Sequence, residues 1–74
     1  MPQTGDVHVV PKGDKWVVEV EGEGGHVTRE TQEQAILAGR SIAQRNQSEL
    51  LIHGEDGQVR ERSTYGEDPH PPRG

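Results

Sequence analysis

Seventy-four residues, 27% of them hydrophobic, with no cysteine and a formal net charge of -5, bound this molecule to one small domain built around a single thin core. Disulfide staples and thiolate metal sites are excluded. The acidic balance opposes binding to a phosphate backbone unless a local basic face overrides the global field.

The first six residues, Met1-Pro2-Gln3-Thr4-Gly5-Asp6, carry neither a basic patch nor an apolar run, and no later stretch approaches the ~20 apolar residues of a membrane span. They read as a flexible N-terminus to a cytoplasmic protein. The folded domain is expected over residues 7–65. Val7-His8-Val9-Val10 and Trp16-Val17-Val18-Glu19-Val20-Glu21 are β-rich runs separated by Pro11-Lys12-Gly13-Asp14-Lys15, where Pro and Gly punctuate a hairpin connection. In the second run, period-two alternation puts Trp16, Val18 and Val20 on one face, the expected core side. A glycine-rich reversal, Gly22-Glu23-Gly24-Gly25, precedes His26-Val27-Thr28-Arg29, a possible short third strand.

Thr31-Gln32-Glu33-Gln34 has the pattern of a capping box and opens a helix. On a 100° wheel Ala35, Gly39, Ile42, Ala43 and Asn46 share an arc flanked by Ile36 and Ala38. A glycine there costs about 1 kcal/mol relative to alanine, so its place on the buried arc predicts a helix lying very close to the sheet. Leu37 points away from that arc. Glu49-Leu50-Leu51-Ile52-His53 reads as a buried strand, and Asp56-Gly57 as the central pair of a second hairpin. The last strand, Gln58 to Tyr65, sets Val59 and Tyr65 on one face against Arg60 and Arg62 on the other. Residues 66–74, with three prolines, form a Pro-rich tail. The sum is an α+β fold: an antiparallel sheet of four or five strands, ordered β-β-(β)-α-β-β, with one helix packed on one face.

The helix-opening Thr31-Gln32-Glu33-Gln34-Ala35 is followed by Glu49-Leu50-Leu51-Ile52-His53-Gly54, Asp56-Gly57-Gln58-Val59-Arg60-Glu61 and Ser63-Thr64-Tyr65-Gly66-Glu67-Asp68-Pro69, and the chain closes on Pro71-Pro72-Arg73-Gly74. This series resembles the small bacterial family known as domain of unknown function 2188, over nearly the whole chain. In that family a strand ends in His-Gly, an Asp-Gly turn follows, and the final strand runs into Ser-Tyr-Gly-x-Asp-Pro; here Thr64 stands between Ser63 and Tyr65. The resemblance implies a compact bacterial domain and brings no reaction, cofactor or catalytic residue.

Function has to be sought in the residues. His8, His26, His53 and His70 form no i, i+2 or i, i+4 pair, so a metal site would need distant segments to meet, and no metal or other cofactor is expected. His53, just before Gly54, is expected to bond a neighbouring backbone group. Ser63, His53 and Asp56 lie on adjacent segments, but such a trio occurs in almost any small domain. A sheet under one helix is expected to offer less than the roughly 300 Å³ of a ligand pocket, so the chain is read as no enzyme. The glycine-rich loop opens no helix and is no phosphate cradle. Trp16 belongs in the core. Pro69-His70-Pro71-Pro72-Arg73 reads as a terminal extension.

What remains is a contact surface. Arg60 and Arg62, with Leu51 and His53 across the hairpin and Leu37 on the helix, are the candidate partner-binding residues, since arginine pairs bidentately with anionic groups and anchors interfaces. The expected function is a non-enzymatic interaction or regulatory module working through a protein partner or through self-association, as thin cores favour. The alternative is nucleic-acid binding through Arg60 and Arg62, aided by Arg40 and Arg45.

Overall fold

A computed structural model describes residues 5–65. Five strands and one helix follow in the order β1 (Val7–Lys12), β2 (Lys15–Val20), β3 (His26–Arg29), α1 (Gln32–Asn46), β4 (Glu49–His53) and β5 (Val59–Thr64). The sheet order is β3-β2-β1-β4-β5, and α1 lies across one face, packing on β1, β2, β3 and β4. This is the expected α+β architecture with the short third strand present.

The sheet is mixed: β1 and β4 pair in parallel, while every other pair is antiparallel. The helix is the cause. It carries the chain from the β3 edge back across the sheet, so β4 runs in the direction of β3, and because two antiparallel pairings make β3 run with β1, β4 lands parallel to β1.

The first hairpin is tighter than expected, because the strands run through Pro11 and Lys12 and only Gly13-Asp14 turn, with Lys12 opposite Lys15. Gly13 takes φ 63°, the positive value that a two-residue turn of this kind needs at its first central position. Pro11 is tolerated because pairing of β1 with β4 ends at Val9, so its missing N–H removes no bond on that side. The second hairpin differs from expectation in the other direction. Gly57 N–H donates to the Gly54 carbonyl at 2.9 Å, which makes Glu55 and Asp56 the central pair, and Asp56 Oδ1 accepts from Gln58 N–H at 3.1 Å. The longer loop goes with a register shift between Ile52 and His53, where His53 pairs with Val59.

The core sits between helix and sheet: Val7, Val9, Val18, Val20, Leu50 and Ile52 from the strands against Ala35 and Ala43. Trp16 and Tyr65 pack on its border. Thr31 caps the helix, its hydroxyl accepting from Gln34 N–H at 3.1 Å. Gly39 is buried on the contact line, and a Cβ there would stand 2.9 Å from Leu50 Cδ1 and 3.1 Å from Val9 Cγ2, the close approach that its position on the arc implied. Asp6, at the end of the expected flexible N-terminus, is tied in: Glu21 N–H donates to the Asp6 carbonyl at 3.0 Å, and Glu49 N–H to Asp6 Oδ1 at 3.1 Å; residues 1–4 of that segment lie outside the described residues. The expected tail, residues 66–74, lies outside the described residues. No described helix is long and apolar enough to cross a membrane.

Candidate functional site

Strand alternation gives the sheet a second face, and among the described residues no element packs on it. Since Val7 and Val9 point to the helix, His8 and Val10 point away, and the register carries this across the sheet. One row runs Arg62, Leu51, His8, Glu19, His26 from β5 to β3. The next places Val10 beside Val17 and Thr28. Asp6, Glu21 and Glu49 gather at one end of the strands, and the Lys12–Lys15 pair marks the other. The face is acidic at one end, mixed in the middle, where Val10 and Val17 lie beside the row through Leu51, His8 and Glu19, and at the far end carries Lys12 together with Lys15, which is paired with Glu30. Val17 and Leu51 are well buried, at 3% and 6% exposure, yet neither belongs to the helix-side core.

A chain of close polar contacts between side chains crosses this face. His8 Nε2 lies 2.6 Å from Glu21 Oε2, His8 Nδ1 lies 3.0 Å from His53 Nε2, and His53 Nδ1 lies 2.8 Å from the Gly57 carbonyl. The ends fix its polarity. A carbonyl only accepts, so His53 Nδ1 carries the hydrogen toward Gly57. An ionised carboxylate only accepts, so His8 Nε2 carries the hydrogen toward Glu21. The bond from His8 holds the Glu21 carboxyl below the ordinary carboxylate range, partly opposed by desolvation. At the basic end Lys15 Nζ donates to both Glu30 oxygens at 3.1 and 3.0 Å, a hydrogen bond that raises the Lys15 ammonium above its usual value.

The five residues singled out from sequence do not form one surface. Leu37, 59% exposed, sits on the helix side beside Arg29, Gln34 and Ala38, away from the open face. Leu51 and Arg62 are register partners on that face, and Arg62 Nε lies 3.4 Å from Glu49 Oε1. His53 bonds the Gly57 carbonyl, the backbone contact expected of it. Arg60, displaced by the register shift, pairs with Asp56 at 3.0 Å. Ser63 pairs with Leu50 on the helix side, so the Ser63, His53, Asp56 trio does not assemble.

Two expectations are corrected. The surface does hold depressions as large as a ligand pocket: about 320 Å³ lined by His8, Glu19, Glu21, His26 and the glycine loop, and about 420 Å³ between β3 and the helix near Val27, Ile42 and Arg45. Both are open to solvent. His8 was also missed as a partner of His53; they are 45 residues apart, and only the parallel pairing of β1 with β4 brings them together. Among the described residues no group of three or more His, Cys, Asp or Glu is placed to hold a metal ion.

The family model described as uncharacterized protein conserved in bacteria, DUF2188, matches residues 7–65. The chain belongs to this family. The matched stretch coincides with β1 through Tyr65, so every strand and the helix of this member lie within it. The comparisons with curated proteins and with solved structures found no match.

Proposed function

We propose that this DUF2188 member is a non-enzymatic interaction module of the bacterial cytoplasm whose working surface is the open sheet face, and that the occupant of this face is a second copy of the chain. The observation that supports the reading is the order of residues along the strands, with Asp6, Glu21 and the Arg62-paired Glu49 at one end, Val10, Val17 and Leu51 in the middle, and Lys12 with the Glu30-paired Lys15 at the other. A two-fold axis lying across the strands sets the acidic end against the lysine end and the middle against itself, the self-complementarity an isologous interface demands. Stacking of two such faces about 10 Å apart is an ordinary sheet packing, and it supplies the second layer that a thin core lacks. The nucleic-acid alternative is weakened at the β5 arginines by the pairing of Arg60 with Asp56 and of Arg62 with Glu49, which offsets the positive charge that face would offer to phosphates.

Sedimentation equilibrium of the full chain over the micromolar range at low salt tests this. A dimer that dissociates as salt rises is expected, with a Lys12→Glu, Lys15→Glu variant remaining folded by circular dichroism but monomeric. A wild-type chain that stays monomeric throughout, or that captures a DNA or RNA duplex under the same conditions, overturns the reading.

A further inference from the structure

We propose that His8 Nδ1 and His53 Nε2 form a binding site for a late divalent transition ion, Cu²⁺ before Ni²⁺ or Zn²⁺. The outer nitrogen of each ring is already committed. His8 Nε2 faces the Glu21 carboxylate at 2.6 Å, and His53 Nδ1 faces the Gly57 carbonyl at 2.8 Å. Metal-bound imidazoles are held this way, one nitrogen on the ion and the other N–H donating to a carboxylate or a backbone carbonyl. With both outer nitrogens donating, the inner pair stands 3.0 Å apart as two facing lone pairs unless a hydrogen or a cation lies between them.

The spacing suits a cation. Metal–nitrogen bonds of about 2.0–2.1 Å correspond to nitrogens roughly 2.9 Å apart when adjacent in a square plane and about 3.3 Å apart in a tetrahedron. The rings are tilted by 42° with centroids 5.2 Å apart, a nearly head-on approach of the two nitrogens, so each ring has to turn by roughly 20–40° for both lone pairs to meet one ion at metal–nitrogen bonds of about 2.0–2.1 Å. The His8 side chain is 24% exposed, which leaves room for water to complete the coordination. Imidazole donors select copper, nickel and zinc over magnesium and calcium, and copper binds tightest of the series. The site is complete within one chain and does not depend on self-association.

Calorimetric titration of the full chain with Cu²⁺ alone, and separately with Zn²⁺ and Mg²⁺, is the test, combined with NMR of the histidine ring signals. The expected result is one Cu²⁺ per chain, tighter than Zn²⁺ and with no Mg²⁺ binding, and perturbation of the His8 and His53 rings together at one equivalent. His8→Gln and His53→Gln, each verified as folded by circular dichroism, should abolish that event, while His26→Gln should not. Glu21→Gln should weaken it about tenfold or more through loss of the orienting carboxylate. Equal affinity in wild type, His8→Gln and His53→Gln would overturn the proposal by placing the ion elsewhere, and so would the absence of Cu²⁺ binding by the wild type.

Discussion

Leu50 and Leu51 are neighbours on β4, both buried, and they belong to different molecular surfaces. Leu50, 1% exposed, faces the helix and meets the backbone at Gly39. Leu51, 6% exposed, faces the other way, beside His8 and Arg62, and lies outside the helix-side core. The contrast shows that burial alone does not define a core. Leu50 is enclosed by a second layer, whereas Leu51 is covered by the side chains around it in its own layer. Truncation should separate the two. Leu50→Ala leaves a cavity between helix and sheet and is expected to cost about 3 kcal/mol, most of the ~3–5 kcal/mol available to so small a core, so the variant should be largely unfolded in thermal and urea denaturation. Leu51→Ala should cost about half as much and remain folded. Equal losses would mean that the open face is packed as firmly as the closed one.

The closed face is also the one that cannot accept added volume. Gly39→Ala gains about 1 kcal/mol in helix propensity, but its methyl would meet Leu50 Cδ1 and Val9 Cγ2 at 2.9 and 3.1 Å, and overpacking typically costs about 1–3 kcal/mol. A net loss of about 1 kcal/mol is expected in a urea melt. A stabilised variant would show that the helix can lift from the sheet, and the distinction between a rigid and a yielding face would fail.

The same contrast explains what was legible in the sequence. The closed face announces itself locally: Val18 and Val20 alternate, Ala35, Gly39 and Ala43 recur at helical spacing, and Thr31 stands where a cap is needed. Each signal lies within one element, and together they set out the helix and the order of elements along the chain, with the sheet expected to be antiparallel throughout where the β1–β4 pair is parallel. The open face is defined by pairings between elements. No local pattern states that β4 lands parallel beside β1, and without that pairing His8 and His53 are two unrelated histidines. The register shift at His53 was hidden for a similar reason. Asp56-Gly57 satisfies the composition of a two-residue turn, and it is the Gly57 N–H bond to the Gly54 carbonyl, with the pairing of His53 and Val59, that shows the loop is longer. Arg60 and Arg62 share strand parity, so sequence placed them together, whereas the loop pulls Arg60 toward Asp56.

The smallest expected effect lies at the two ends of the open face, and its sign differs between them. The Glu21 carboxyl is held below its ordinary value by the hydrogen bond from His8, so folding favours its ionised form. That contribution is fully present above the usual glutamate range of about 4.3 and fades as pH falls through the lowered folded value. The Lys15 ammonium is held above its ordinary value by the hydrogen bond to Glu30. Its contribution is fully present below the usual lysine value of about 10.4 and fades as pH rises through the raised folded value. Both groups are solvent-exposed and screened, so the stability change at each end should be slight, and the sharper measurement is site-specific. A ¹³C titration of the Glu21 carboxyl should give a midpoint below that of an ordinary glutamate and return toward it in His8→Ala, while the Lys15 midpoint should fall in Glu30→Gln. A Glu21 midpoint indifferent to His8 would mean that the 2.6 Å contact does not persist in solution, and the open face would then lack the bond that orients its histidine pair.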